Sequence, residues 1–258
     1  MLFSEFCKSD GIGVSDVTKK EEFHYEDAWL TGYTYTQEVS IADLTEIISH
    51  PLTIQYGNNR SSVTFTDEIG TERKYTLNEE GYATQCEYAS LDQKRQYTFS
   101  YTEGYLTQVN EKIMPREGSS DAVVSHTLSL QYDKGDLIST TSPSLTNESS
   151  TGYGKFQTNY EAGEDIQFII VFPVCWWRIL IPLSFHREAL FAGMLGKPTQ
   201  HLTTASCPNE SSDTYTERTE YSYNFDKNKK PVSLKISTKY SNGKSTSYLN
   251  RTISITIE

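Results

Sequence analysis

The chain is poor in the residues that most often organise chemistry. Of its 258 residues only 4 are cysteine, 8 proline and 3 tryptophan. Cys7, Cys86, Cys175 and Cys207 stand far apart and form neither a Cys-x-x-Cys pair nor a Cys/His cluster, which excludes zinc ribbons. Positive charge is also short: 23 Lys and Arg face 34 Asp and Glu, for a net charge of −11. Nucleic acid and anionic lipid both require a basic footprint, so neither is expected as a partner. No Gly-x-Ser-x-Gly elbow, His-Glu-x-x-His pair, phosphate loop or dinucleotide fingerprint occurs. Gly152-Tyr153-Gly154-Lys155 is too short for a phosphate loop, and Asp226-Lys227-Asn228 opens like a calcium loop but lacks its distal Gly and Glu, so it reads as a turn. His24, His50, His126, His186 and His201 show no ligand spacing. The reading is therefore no metal, no cofactor and no identifiable catalytic residue.

What is present points to β-structure. Ser and Thr number 29 and 30, alongside 18 Tyr and 11 Phe. Thr, Tyr and Phe suit a pleated, half-buried surface, whereas Ala and Leu, the strong helix formers, are sparse. An aromatic content of 12% supplies anchors that disordered acidic chains lack. A chain of this length buries enough surface to fold without a disulfide scaffold.

Residues 1–22 are polar, end in Lys19-Lys20-Glu21-Glu22 and read as a tether, leaving 23–258 as one β-rich domain. Ile41, Leu44, Ile47 and Ile48 follow Ser40 at helical spacing, which predicts a short helix over 41–49. From 52 to about 142 apolar and polar residues alternate between turn signals, as in Leu52–Tyr56 before Gly57-Asn58-Asn59. Period-2 alternation over short segments argues for antiparallel hairpins. Phe185 to Leu195 fits a second short helix, with Ser184 as N-cap and Gly196 just past the end.

The sharpest signal is internal repetition. Residues 81–86 read Gly-Tyr-Ala-Thr-Gln-Cys and 104–109 read Gly-Tyr-Leu-Thr-Gln-Val, each behind a Glu-Gly corner. A third copy runs from Leu128 through Tyr132-Asp133-Lys134-Gly135-Asp136-Leu137, and a degenerate fourth from Tyr221 to Asn228. In each, a strand ends, polar residues bend the chain, and Gly81, Gly104, Gly135 or Asn228 takes the left-handed position that closes the corner. A lone hairpin cannot bury its own face, so the hairpins must stack or extend one sheet.

These Tyr-Asp-Lys-Gly and Tyr-Thr-Glu-Gly units resemble tyrosine–aspartate (YD, RHS-like) hairpin repeats. In particular they are similar to those of an uncharacterised family of Bacteroidetes-type lipoproteins. The likeness covers about residues 50–240, including the Leu195-Gly196 pair and the strands from Tyr221 to Tyr240. It implies an exported protein of a Gram-negative cell envelope, periplasmic or at the cell surface, lipid-anchored, and brings no catalytic residue. It also implies lipidation of Cys7, although Glu5 and Phe6 stand where a lipoprotein signal has small residues and no apolar h-region precedes them. With Cys7 lipidated, Cys86, Cys175 and Cys207 leave room for one disulfide and one thiol, and Cys86, in the place of Val109, reads as a small core residue.

One long apolar run, residues 166–185, raises the question of a transmembrane helix. Arg178 lies within it and Pro173 and Pro182 interrupt it; a mid-span Arg alone costs about 2.5–3.5 kcal/mol. It reads instead as a buried strand broken at Pro173 followed by a second apolar segment, and no transmembrane helix is expected. Within it Trp176 and Trp177 are the candidate ligand-binding aromatics, at most one of which enters the core with its strand neighbours.

The expected fold is thus mainly β, an antiparallel sheet of stacked or consecutive hairpins with one or two short helices. The expected function is non-enzymatic: an envelope module that binds an unidentified glycan or protein, or serves structurally. The rival is a hydrolase of polysaccharide or peptide whose carboxylates the fold brings together near Trp176, Trp177 or His186. A fragment of a larger YD-repeat shell ranks last, since such a shell carries many more repeats.

Overall fold

The computed structural model describes residues 2–8, 15–27, 29–41, 44–91, 93–115, 123–141, 153–158, 186–208, 216–228 and 230–256. Its strands are β1 (Leu2–Lys8), β2 (Ser15–Glu26), β3 (Trp29–Ile41), β4 (Leu44–Tyr56), β5 (Ser62–Thr66), β6 (Glu72–Leu77), β7 (Ala83–Ala89) and β8 (Lys94–Thr102). They continue as β9 (Tyr105–Met114), β10 (Val124–Asp133), β11 (Asp136–Thr141), β12 (Tyr153–Thr158), β13 (Thr203–Pro208), β14 (Thr216–Phe225), β15 (Pro231–Ser241) and β16 (Thr246–Thr256). Among the described residues the only helical elements are a 3-10 turn at Asn58–Arg60 and the five-residue helix α1 (Arg187–Phe191). The chain is mainly β and antiparallel.

Strands adjacent in sequence are adjacent in the sheet, from β11 to β1 on one side and from β16 to β12 on the other. β1 joins the halves, pairing with β2 and, from Leu2↔Thr256 to Glu5↔Ile253, with β16. The two end strands, β11 and β12, lie against each other, so the sheet curls back on itself. Alternate corners of such a meander fall at the same end. One end carries the corners after β4, β6, β8, β10 and β14, and the other those after β1, β3, β5 and β15.

Three sequence expectations change here. Residues 1–22, read as a tether, supply β1 and most of β2. A strand with one face in water needs few apolar residues, so composition does not separate it from a tether. Of the helix expected over 41–49, Ile41 ends β3 and residues 44–49 open β4, laddered to β3 from Tyr33↔Leu52 to Ile41↔Leu44, and Ile47 is left 66% exposed. Pairing with a neighbour outweighs a few tenths of a kcal/mol per residue of helical preference. The helix expected over 185–195 shrinks to α1 with His186 as its N-cap. It ends in a Schellman motif at Gly193 (φ 72°): the Gly193 amide donates to Leu190 and the Met194 amide to Ala189. Gly196 has a different task, described below.

The sheet has one apolar and one polar face. On β8, Lys94, Gln96, Thr98, Ser100 and Thr102 are exposed while Tyr97 and Phe99 between them are buried. On β6, Glu72, Lys74 and Thr76 face out and Tyr75 and Leu77 face in. β16 repeats the pattern, with Ile253 and Ile255 buried between Thr252, Ser254 and Thr256. The buried side chains converge on one core that includes Phe23, Leu30, Phe65, Tyr75 and Leu106, and into which Ala189, Phe191, Met194 and Leu195 project.

The repeated corners have local chemical causes. Glu103-Gly104 and Lys134-Gly135 both have two positive φ angles (55° and 85°; 50° and 85°), the two-residue corner whose twist matches a β-hairpin. Gly81 (φ 84°) closes a longer corner in which Asn78 Oδ1 accepts the Tyr82 amide. At Asn228 the corner is closed by Asp226, whose Oδ1 accepts the Asn228 and Lys230 amides. The repeat aromatics also meet across hairpins: Tyr101 stacks on Tyr82 at 5.4 Å and Tyr132 lies 5.0 Å from Tyr105.

Behind α1 the chain runs across these corners as a strap. The Ala83 amide donates to Met194 O, the Lys197 amide to Gly104 O and the Gln200 amide to Gly135 O, at 2.8, 2.7 and 2.9 Å. The strap residues are three apart and the corners two strands apart. Three extended residues reach about 10 Å and two strand spacings about 9.5 Å, so strap and corners stay in step. Gly196 exists for this contact, since a Cβ there would lie 2.6 Å from Gly104 O and 3.0 Å from the Tyr101 ring.

Gly196→Ala should therefore cost about 3 kcal/mol of unfolding free energy, a left-handed penalty plus a backbone clash. Gly81→Ala, with nothing within 4 Å of the new methyl, should cost only about 1 kcal/mol. Urea unfolding of the two variants tests this; equal losses would show that the strap does not dock tightly.

Candidate functional site

The interior holds charges as well as apolar groups, and α1 brings three of the polar side chains in. His186 is 1% exposed, with Nδ1 2.6 Å from Tyr75 Oη and its ring set edge-on to Tyr97 at 4.3 Å. Burial, and secondarily Arg73, push its pKa down to about 3, so the imidazole is neutral. Its Nε2 is buried with no hydrogen-bond partner. Arg187 pairs with Glu21 of β2, which also accepts the Tyr33 hydroxyl. Glu188, 6% exposed, sits with Oε1 2.9 Å from Arg73 Nη1 of β6; burial pushes its carboxyl above the usual range against the pull of Arg73. Further round, fully buried Glu111 accepts from Arg95 Nη1 and Tyr97 Oη, both at 2.8 Å, and lies 2.6 Å from His126 Nδ1. Each interior carboxylate is thus matched to a cation, as burial demands: removing one partner of such a pair costs about 3–5 kcal/mol.

Among the described residues a cleft opens into this interior. β4 has 13 residues, but β5 and β6 have only 5 and 6, and β4 meets β5 only from Thr53 to Tyr56. The upper halves of β3 and β4 therefore overhang the short corner between β5 and β6. The space beneath, about 340 Å³, has Tyr33, Tyr35, His50 and Leu52 on the overhanging side. Asp67, Glu68 and Ile69 of the corner face them, with Arg73 and Glu188 at the floor. His50 stacks on Tyr35 (6.1 Å, 14°) and bonds Glu68 across the mouth at 2.6 Å. Asp67 Oδ1 accepts the Ile69 and Thr71 amides and so holds the corner's shape. Arg73 Nε and Glu188 Oε1, both buried, have no aligned hydrogen bond.

The residues singled out from sequence fall elsewhere. Trp176, Trp177 and Cys175, with the whole 166–185 run, lie outside the described residues. Cys7 lies in β1, opposite Val17 of β2. Cys86 is a free, buried thiol whose pKa burial pushes up, and it hydrogen-bonds with Tyr75. Gly81, Gly104 and Gly135 stand at the corners, the last two as strap acceptors. Among the described residues no three His, Cys, Asp or Glu side chains gather as a metal site, and no helix is long and apolar enough to cross a membrane. Sequence reasoning missed Tyr35, His50, Glu68, Arg73 and Glu188. A usable signal existed: the corners at Gly57 and Gly70 bracket a strand far shorter than the one before it.

Fold and site together define an antiparallel β-meander, curled until its end strands meet, with its own chain packed inside. The chain belongs to the family described as a domain of unknown function (DUF4595) with porin-like fold, which matches residues 23–233. It is similar to a porin-like protein from Bacteroides uniformis, whose crystal structure superposes with a TM-score of 0.79 at 27% identity, covering 100% of this chain and 95% of that one. A porin-like protein from Bacteroides vulgatus also matches, at 13% identity and a TM-score of 0.28, over 98% of this chain and 85% of that one. No curated protein matches the chain.

The His186 geometry predicts an acid-sensitive fold. From about pH 6.5 down to about 3 the unfolded chain carries a proton at this residue that the folded chain does not, so stability falls on acidification through that window and is unaffected by this group above it. His186→Phe should flatten the stability–pH slope by up to one proton, about 1.4 kcal/mol per pH unit, in urea midpoints taken from about pH 4 to 8. Identical slopes would mean that His186 is protonated in the fold.

Proposed function

We propose that this chain is a non-enzymatic binding or structural module of a Gram-negative cell envelope that stands in water and is not a membrane pore. The observation that carries this is the polarity of the sheet. A bilayer-spanning barrel turns an apolar band outward and keeps its lumen polar, and each outward Lys or Arg near the midplane costs about 2–4 kcal/mol. Here Glu72, Lys74, Glu87, Lys94, Lys235 and Lys239 are exposed on the outer face, while the inner face is apolar and covered by α1 and the strap. The porin-like description of the Bacteroides uniformis relative supports the envelope setting; the outward charges argue against conduction.

The hydrolase reading loses support at the interior carboxylates. Glu21, Glu111 and Glu188 each face an arginine, and of the other carboxylates lining the cleft Asp67 accepts the Ile69 and Thr71 amides while Glu68 bonds His50. A glycosidase needs two carboxyls flanking the scissile bond, one of them free to donate a proton.

Attachment through a lipid on Cys7 has a structural cost. Cleavage ahead of Cys7 would remove Leu2 to Glu5, the residues that pair β1 with β16. A lipidated Cys7 and a complete β1 therefore exclude each other in one molecule.

Two measurements test the proposal. Purified without detergent, the chain should stay monodisperse and give no discrete conductance steps in planar bilayers; porin-sized steps would overturn it. Mass spectrometry of the protein from its native membrane fraction should find Leu2–Phe6 retained, whereas a diacylglyceryl Cys7 at the N-terminus would show that β16 stands without β1.

A further inference from the structure

Resting on the reading of the chain as a binding module, we infer that the cleft between the β3–β4 overhang and the β5–β6 corner binds a neutral mono- or disaccharide. Its volume of about 340 Å³ is at the small end of ligand pockets, which start near 300 Å³. Its chemistry narrows the class further. Asp67, Glu68 and Glu188 disfavour an anion, and Arg73 on the floor, beside Glu188, disfavours a cation reaching the bottom. A neutral polyol meets both signs, because a hydroxyl donates to a carboxylate and accepts from a guanidinium.

Two features indicate a site that expects a ligand. The Tyr35–His50 pair offers a flat ring surface at the mouth, and Leu52 and Ile69 give apolar walls, suited to the C–H faces of a sugar ring. The His50–Glu68 bond closes the mouth between side chains that are 49% and 46% exposed. Exposed pairs contribute little to stability, so the bond opens at small cost.

The test is calorimetry and saturation-transfer NMR on the full chain with a panel of neutral mono- and disaccharides, plus a sulfated sugar and choline as charged controls. Saturable binding of a neutral sugar is expected. Tyr35→Ala should weaken it about tenfold through loss of one ring contact. Glu68→Gln on the exposed mouth should weaken it about fivefold with the melting temperature retained, which covers the case of a poorly folded Tyr35 variant. Sugar binding that neither variant alters would overturn the cleft assignment, and a preference for a charged control would overturn the ligand class. Absence of any sugar binding would sink this inference and leave the non-pore reading to its conductance test. Cleavage of the bound sugar would instead refute the non-enzymatic reading while keeping the site.

Discussion

An apolar inner wall has to be covered, and this structure is organised around that requirement. Side chains fill the interior of a ring of about eight strands; a wider ring leaves a lumen. Among the described residues sixteen strands run in one order whose ends meet, with the apolar residues turned inward. The chain meets the deficit with its own length. Residues 186–202 enter, and Ala189, Phe191, Met194 and Leu195 join the core formed by the sheet. The strap keeps this insert in place with backbone hydrogen bonds to hairpin corners, where the turn geometry leaves carbonyls pointing away from the ladder. The glycine repeat thus serves twice: it lets the corner form, and at Gly104 and Gly135 it offers the acceptor that the strap reads.

Putting a helix into the lumen also imports charge. Arg187 and Glu188 are adjacent on α1 and find oppositely charged partners on two different strands, Glu21 on β2 and Arg73 on β6. Such pairs contribute less to net stability than to position, because desolvation cancels most of the attraction while a mismatched placement leaves a bare charge. They therefore fix how α1 sits in the lumen. Among the described residues a cleft remains beneath the long β3–β4 overhang and beside the Arg73–Glu188 pair. Its floor is thus set by the insert and its mouth by unequal strand lengths.

Much of the architecture was legible in the residues. Alternation from Leu52 onward and the Gly81, Gly104 and Gly135 corners depend on interactions within a few residues, so their signal is local. The expectation for Cys86 rested on the same logic, since a repeat places equivalent residues on the same face. The 41–49 segment misled because Ile41, Leu44, Ile47 and Ile48 satisfy a helical period by coincidence and the β3 ladder prevailed. Residues 1–22 misled because a strand stabilised by neighbours distant in sequence, here residues 253–256 of β16, carries no local mark of it. The candidate cleft was out of reach for the same reason. Tyr35, His50, Glu68 and Glu188 come from four separate segments, and no spacing along the chain announces their meeting.

By itself the sequence determined the strand period, the inward and outward residues of the hairpins, and where the chain turns. Each of these follows from side-chain pattern and backbone sterics over a handful of positions. Only the tertiary structure decided that the hairpins form one curled sheet, that its first and last strands pair, that residues 186–202 fill it, and that a polar cleft remains open at its rim. Those outcomes depend on contacts between residues as far apart as 2 and 256, or 73 and 188, whose energies exist only once the chain has brought them together.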